Sequence, residues 1–127
     1  MAGPRRARVG ADEWFRRAKH NIRIAKDNLG LGHADAAAFY AQQGAEFALK
    51  ALQIDLTGSF DRTHDLTLLA KSVSAPPRII RLAALVTPAY TGARYPDVRT
   101  ARITRRRGEM ILDAARRIAR WVRRQLV

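Results

Sequence analysis

One stretch constrains the fold more than any other: residues 36–56, AAAFYAQQGAEFALKALQIDL. It contains no proline and a single glycine. Small residues recur at helical spacing, at Ala37, Ala41, Gly44 and Ala48, with Ala38, Ala45, Ala51 and Leu52 beside them. Phe39, Phe47, Leu49 and Ile54 widen the apolar surface around the cylinder. A helix apolar on several sides belongs in the middle of a helical bundle, not on a surface. Small side chains let its neighbours approach closely. Polar Gln42, Gln43, Glu46 and Lys50 mark where it meets water, a partner chain or another polar group. Glu46 and Lys50 stand at i,i+4 in the favourable order, worth about 0.3 kcal/mol on an exposed helix.

The flanking sequence supplies the other layers. Trp14, Ala18, Ile22, Ala25 and Leu29 form a stripe at three- and four-residue spacing, so a first helix is expected with Asp12 as its N-cap. Residues 1–11 are expected as a flexible basic arm, and 12–127 as the bundle domain. Gly30 and Gly32 end the first helix, and the short link that follows makes the first two helices antiparallel. The second helix begins near His33 or Ala34 and ends near Thr57, because Gly58 and Ser59 follow. Asp61 or Thr63 can cap a short third helix carrying Leu66, Leu68, Leu69, Ala70 and Val73. Pro76-Pro77 breaks it, and a fourth helix runs from Pro77 to Pro88. Residues 88–104 read as a long loop, and such loops are often functional. The last helix spans about Thr104 to Leu126. Its Arg116, Arg117, Arg120, Arg123 and Arg124 fall within about a third of the circumference, at ~100° per residue, and read as a solvated face. No strand pattern and no internal repeat is visible. The fold class is therefore all-α: an antiparallel up-and-down bundle of about five helices, expected to dimerise.

At 127 residues the chain suits one domain, which buries roughly two thirds of its unfolded surface. There is no cysteine, which excludes disulfides and thiolate metal sites and makes a cytoplasmic setting the default. No apolar run approaches the ~20 residues of a membrane span, and the N-terminus lacks the apolar core of a secretory signal. The net charge is +13, with 20 Arg against 4 Lys. That favours polyanionic partners: RNA, DNA, nucleotides or an acidic protein. An Arg-rich proteome gives the same composition without a binding role.

The order of helices and four segments together resemble a known family. Trp14-Phe15-Arg16-Arg17-Ala18-Lys19 opens the first helix, and residues 38–52 (AFYAQQGAEFALKAL) fill the second. Thr63-His64-Asp65-Leu66 starts the third helix, and Ala93-Arg94-Tyr95-Pro96-Asp97 precedes the last. Over roughly residues 12 to 125 the chain resembles a HEPN domain (higher eukaryotes and prokaryotes nucleotide-binding) of the stand-alone prokaryotic type. The resemblance implies an all-α bundle that commonly dimerises. It also implies a minimal nucleotidyltransferase partner, the pair forming a toxin–antitoxin-like system. Many relatives are metal-independent ribonucleases with an Arg-x(4–6)-His motif. This chain departs from that motif: none of His20, His33 and His64 has an Arg five to seven positions before it.

The candidate ligand-binding residues are His64, Asp65, Arg94, Tyr95 and Asp97. If the five helices strictly alternate, the loops carrying them lie at one end of the bundle together with the basic arm. Arg94 could then hold a phosphate, Tyr95 stack on a base, and His64 donate to phosphate or move protons. His64 and Arg94 are the candidate catalytic pair for a ribonuclease with an atypical site. The competing reading is a polar latch, with His64 capping a helix or paired with Asp97, and Arg94 paired with Asp65 or Asp97. Arg102, Arg105, Arg106 and Arg107 form a candidate polyanion site, because they sit against the dipole at the start of the last helix. There is no Gly-rich phosphate loop, HExxH, paired carboxylates or Ser-His-Asp order. No cofactor and no metal site is expected. The function expected is a nucleotide- or RNA-binding and interaction module.

Overall fold

The structure, a computed structural model, describes residues 5–94 and 102–126, with side chains for 10–87 and 102–126. Five helices follow in order: α1 (Arg5–Gly30), α2 (Ala34–Thr57), α3 (Leu66–Ser72), α4 (Pro77–Arg94) and α5 (Arg105–Gln125). Among the described residues there is no strand, and the all-α up-and-down bundle stands. The helix α2 is its centre, touching all four others. Ala37, Ala38, Ala41, Ala45, Leu49 and Leu52 lie in the core with almost no exposure.

Close approach explains the small residues of α2. A side chain at Gly44 would place its Cβ 2.7 Å from Cγ1 of Ile22 and 3.1 Å from the Ala18 carbonyl oxygen. The two helices therefore cross in near backbone contact at this point. Trp14 packs edge-on against Phe47 at 5.0 Å, and Ala11 is buried with Ile54, which fixes α1 antiparallel to α2. Gly108 brings the start of α5 against Leu29 and Ala34, while Leu126 reaches the Ala11–Ile54 cluster. Hence α5 runs parallel to α2.

Helix boundaries differ from the sequence reading at three places. The first helix begins at Arg5, so residues 5–11, expected in a flexible arm, are helical, and Asp12 is interior, not an N-cap. Burial of Ala11 against Ile54 offsets the ~1 kcal/mol that Gly10 costs a helix. The fourth helix passes Pro88 and ends at Arg94, shortening the expected 88–104 loop. Pro88 forfeits one helical bond, but Thr87 pins the turn before it. Its hydroxyl donates to the Ala83 carbonyl at 2.9 Å and accepts from the Leu66 amide at 3.2 Å. The cap of α3 is Asp65, not Asp61 or Thr63: its carboxylate accepts from the Thr67 and Leu68 amides. Asp65→Ala is expected to cost about 1 kcal/mol in thermal or urea unfolding, whereas Asp61→Ala leaves this cap intact.

Strict alternation fails at α3. After Gly58, in the left-handed conformation at φ 84°, the chain turns back along α2. His64 lies beside Gln42, while Ser72 lies beside Gln53, so α3 points the same way as α2. Helix α4 then runs back, and Thr87 returns to the level of Leu66. The four long helices alternate and α3 is an extra short turn between them. The end of α4 and the start of α5 therefore lie toward the start of α2, and the start of α1 lies at its opposite end.

Candidate functional site

On the mostly apolar α2, four buried polar side chains fall at successive helical steps: Gln42, Glu46, Lys50 and Gln53. They form one seam, and residues 58–65 lie along it. The Gln53 amide donates to Asp61 Oδ2 at 3.0 Å, and its oxygen accepts from the Asp61 amide at 3.0 Å. The Gln42 amide donates to the His64 carbonyl at 3.2 Å. Phe60 covers Lys50, whose ammonium is 5.3 Å from the ring centroid, and Trp14 packs against the same ring. A polar residue buried this way needs a partner, and here the returning chain provides most of them.

The centre of the seam is ionic. Lys50 donates to Glu46 Oε2 at 3.0 Å, and both residues are nearly inaccessible, at 4% and 3% exposure. The surface value for an i,i+4 pair therefore does not apply. The other Glu46 oxygen, Oε1, accepts from His64 Nδ1 at 2.9 Å. The His64 side chain is 51% exposed, so a buried carboxylate orients a ring that reaches solvent. With Nδ1–H turned to Glu46, the basic nitrogen of the neutral ring is Nε2. This arrangement can hold a proton donor or acceptor in a fixed direction. Gln42 Oε1 is buried without a hydrogen-bond partner.

The described candidates lie in two places, His64 and Asp65 on the seam and Arg102, Arg105, Arg106 and Arg107 at the start of α5. His64 and Asp65 are adjacent, but Asp65 is occupied as the α3 cap. The described partner of the imidazole is one the sequence did not point to, Glu46 on the seam of α2, while Asp97, the latch partner expected for His64, lies outside the described residues. Arg94 ends α4, seven residues and about 10 Å of helix beyond Thr87. Tyr95 and Asp97, and the Arg94 side chain, lie outside the described residues. The start of α1 is at the far end of the bundle from Arg102, so the basic arm expected beside these loops does not lie with them. Arg102 and Arg105 border a cavity of about 370 Å³ at the α1–α2 turn, beside His33 and Asp35. Asp35 accepts from the Ile103 amide at 3.3 Å, and Arg105 is paired with Glu109 at 3.2 Å, so carboxylates share this site. Arg106 and Arg107 are exposed.

Two arrangements escaped the sequence reading. The first is the Glu46–Lys50 core of the seam; polar residues at 42, 46, 50 and 53 on one apolar helix were its signal. The second is a cleft of about 390 Å³ between α4 and α5, lined by Arg78, Arg81, Arg117, Arg120, Arg124 and Trp121. Arg117, Arg120 and Arg124, three of the five arginines on the expected solvated face of α5, thus form one wall of a cleft. Among the described residues no group of His, Asp and Glu could hold a metal ion, and no helix is long and apolar enough to cross a membrane.

Comparisons with known proteins agree with this architecture. The HEPN domain model matches residues 11–125. The chain is similar to TT1696 from Thermus thermophilus, with 34% identity and a TM-score of 0.83, over 91% of this chain and 98% of that one. It is similar to ST0689, described as an archaeal HEPN homologue, with 29% identity and a TM-score of 0.79, over 92% and 98%. A HEPN domain protein from Thermotoga maritima shares the fold at 21% identity, with a TM-score of 0.72 over 90% and 97%. Among curated proteins no relative matches.

Proposed function

The chain belongs to the HEPN domain family, and from that premise we propose that it is a nucleotide- or RNA-binding and protein-interaction module that does not cut RNA. The observation that carries this reading is the state of His64 on a chain of charge +13. It has no arginine five to seven positions before it, and its Nδ1 is engaged by the buried Glu46–Lys50 pair. The excess positive charge favours phosphate-bearing ligands, while the described residues near His64 fasten a loop. On this reading the protein is cytoplasmic and dimeric, and it pairs with a minimal nucleotidyltransferase in a toxin–antitoxin-like system. Calorimetry with ATP and with short RNA at low salt is expected to show binding of at least one, and co-expression with such a transferase to yield a complex. No heat with either ligand and no complex would refute the proposal.

A second reading is favoured by one observation: Glu46 holds a half-exposed imidazole in a fixed direction. On this reading His64 moves the proton of an attacking hydroxyl in a metal-independent ribonuclease, with Arg94 on the phosphate. RNA cleavage that is lost in His64→Ala and Arg94→Ala would support it. Equal cleavage by both variants and the parent would identify a contaminant.

A further inference from the structure

The 20 arginines are not spread evenly against the 11 acidic residues. No Asp or Glu occurs from Leu66 to Pro96, nor from Ala114 to the C-terminus. Those two acid-free segments pack together as α4 and the second half of α5. Where they meet, Arg78 and Arg81 from α4 face Arg117, Arg120 and Arg124 from α5 across the 390 Å³ cleft. All five are exposed. The only ion pair described among them joins Arg117 to Asp113, at 3.0 Å on the rim. By contrast, Arg16 and Arg17 on α1 share the carboxylate of Glu13.

The cleft carries a second electrostatic signature. It opens beside the first turn of α4, where Arg78 stands at the positive end of the helix dipole with no acidic residue in that turn, and Arg81 follows in the next turn. Five guanidiniums and a helix N-terminus converging on one concavity repel one another, and a bound anion relieves that repulsion. We propose that this cleft binds the phosphodiester backbone of a single-stranded nucleic acid.

Shape and chemistry select that ligand. Arg117, Arg120 and Arg124 extend along about 10 Å of α5, a strip suited to successive phosphates more than to one terminal phosphate. The cleft is concave between two helices, so a flexible strand enters it, whereas the convex backbone of a duplex meets only its rims. The aromatic residue on its wall, Trp121, is 7% exposed and packed in the core, so its ring is not a stacking platform. Recognition is therefore of phosphates and independent of base sequence. Arginine suits this task because its fork donates two parallel hydrogen bonds to a phosphate.

The inference rests on the proposed nucleotide or RNA binding, and one experiment separates the two. Fluorescence anisotropy is measured with labelled single-stranded RNA, single-stranded DNA of equal length, and ATP as competitor. The double variant Arg81→Gln/Arg120→Gln is compared with Arg23→Gln/Lys26→Gln, which removes equal charge from the exposed side of α1. Both keep good helix formers at exposed sites. The cleft variant is expected to bind RNA and DNA at least tenfold more weakly, with the salt slope reduced by about 1.4; the α1 variant changes affinity less than threefold. Equal losses in the two variants, or none in the cleft variant, would overturn the cleft assignment while leaving the general binding proposal standing. ATP binding without strand binding would overturn the backbone assignment. A parent protein that binds none of the three would overturn both.

Discussion

Replacing Lys50 by methionine is expected to cost the fold about 3 kcal/mol, although the new side chain nearly matches the old in length. The pair it breaks is buried on both sides, and removing one partner leaves the Glu46 carboxylate uncompensated away from water. His64 still donates to Glu46, which limits the loss to the lower end of the ~3–5 kcal/mol seen for such removals. Total stability of a domain this size is about 5–15 kcal/mol, so the variant should show a large drop in urea midpoint. The double variant Glu46→Gln/Lys50→Met removes both charges together. It is expected to recover most of the loss, giving a coupling energy of about 2 kcal/mol in a double-mutant cycle. Additive losses, or a Lys50→Met cost below about 1 kcal/mol, would mean that water reaches the pair.

Substituting Gly44 by leucine is expected to be about as damaging, for a steric reason. The nearest obstacles are Cγ1 of Ile22 and the Ala18 carbonyl of α1. Ile22 can yield by changing rotamer, but the carbonyl belongs to the backbone of a long helix. Leucine gains up to about 1 kcal/mol in helix propensity over glycine. Overpacking at the crossing costs about 3 kcal/mol and should push α1 away from α2. Alanine, with one added carbon, is expected to lose only about 1 kcal/mol after its propensity gain. Thermal unfolding of the two variants measures the order. A Gly44→Leu protein as stable as the parent would show that the helices are not in near contact there.

Much of the bundle is legible from residues alone. The ends of α2 follow from the glycines around it, and the left-handed Gly58 stops it as the spacing requires. The apolar stripes of α1 and α5 are repeated in the buried set: Ala18, Ala25 and Leu29, then Ile111, Ala115, Ile118 and Val122. What the sequence conceals is where packing overrides local signals. Asp12 looks like an N-cap, yet contact between Ala11 and Ile54 extends the helix past it. Pro88 looks like a stop, yet Thr87 holds the preceding turn and the helix continues. The partner of His64 was hidden for a topological reason. The chain from Gly58 to Asp65 doubles back along α2 and carries His64 with it, a course that no local window of sequence shows. That return delivers it to Glu46. The same return buries the polar edge of α2, at Gln42 and Glu46, which local sequence assigns as readily to solvent or to a partner chain. Convergence of Arg78 and Arg81 on the α5 arginines is likewise long-range, and no local window contains it.

Two polar systems with different roles therefore share one bundle. The seam of α2 fastens the 58–65 segment through Gln42, Glu46 and Gln53, while the α4–α5 cleft presents excess positive charge. Binding of phosphates without cleavage is the central claim, and the salt dependence of RNA binding tests it most directly. A labelled single-stranded RNA is titrated with protein at several salt concentrations by anisotropy, and the same samples are then resolved on a gel. The expected result is a slope of log K against log salt between about −2 and −4, as for three to five phosphates contacted, with the RNA intact throughout. A slope near zero, or RNA cut in proportion to protein and spared by His64→Ala, would contradict it.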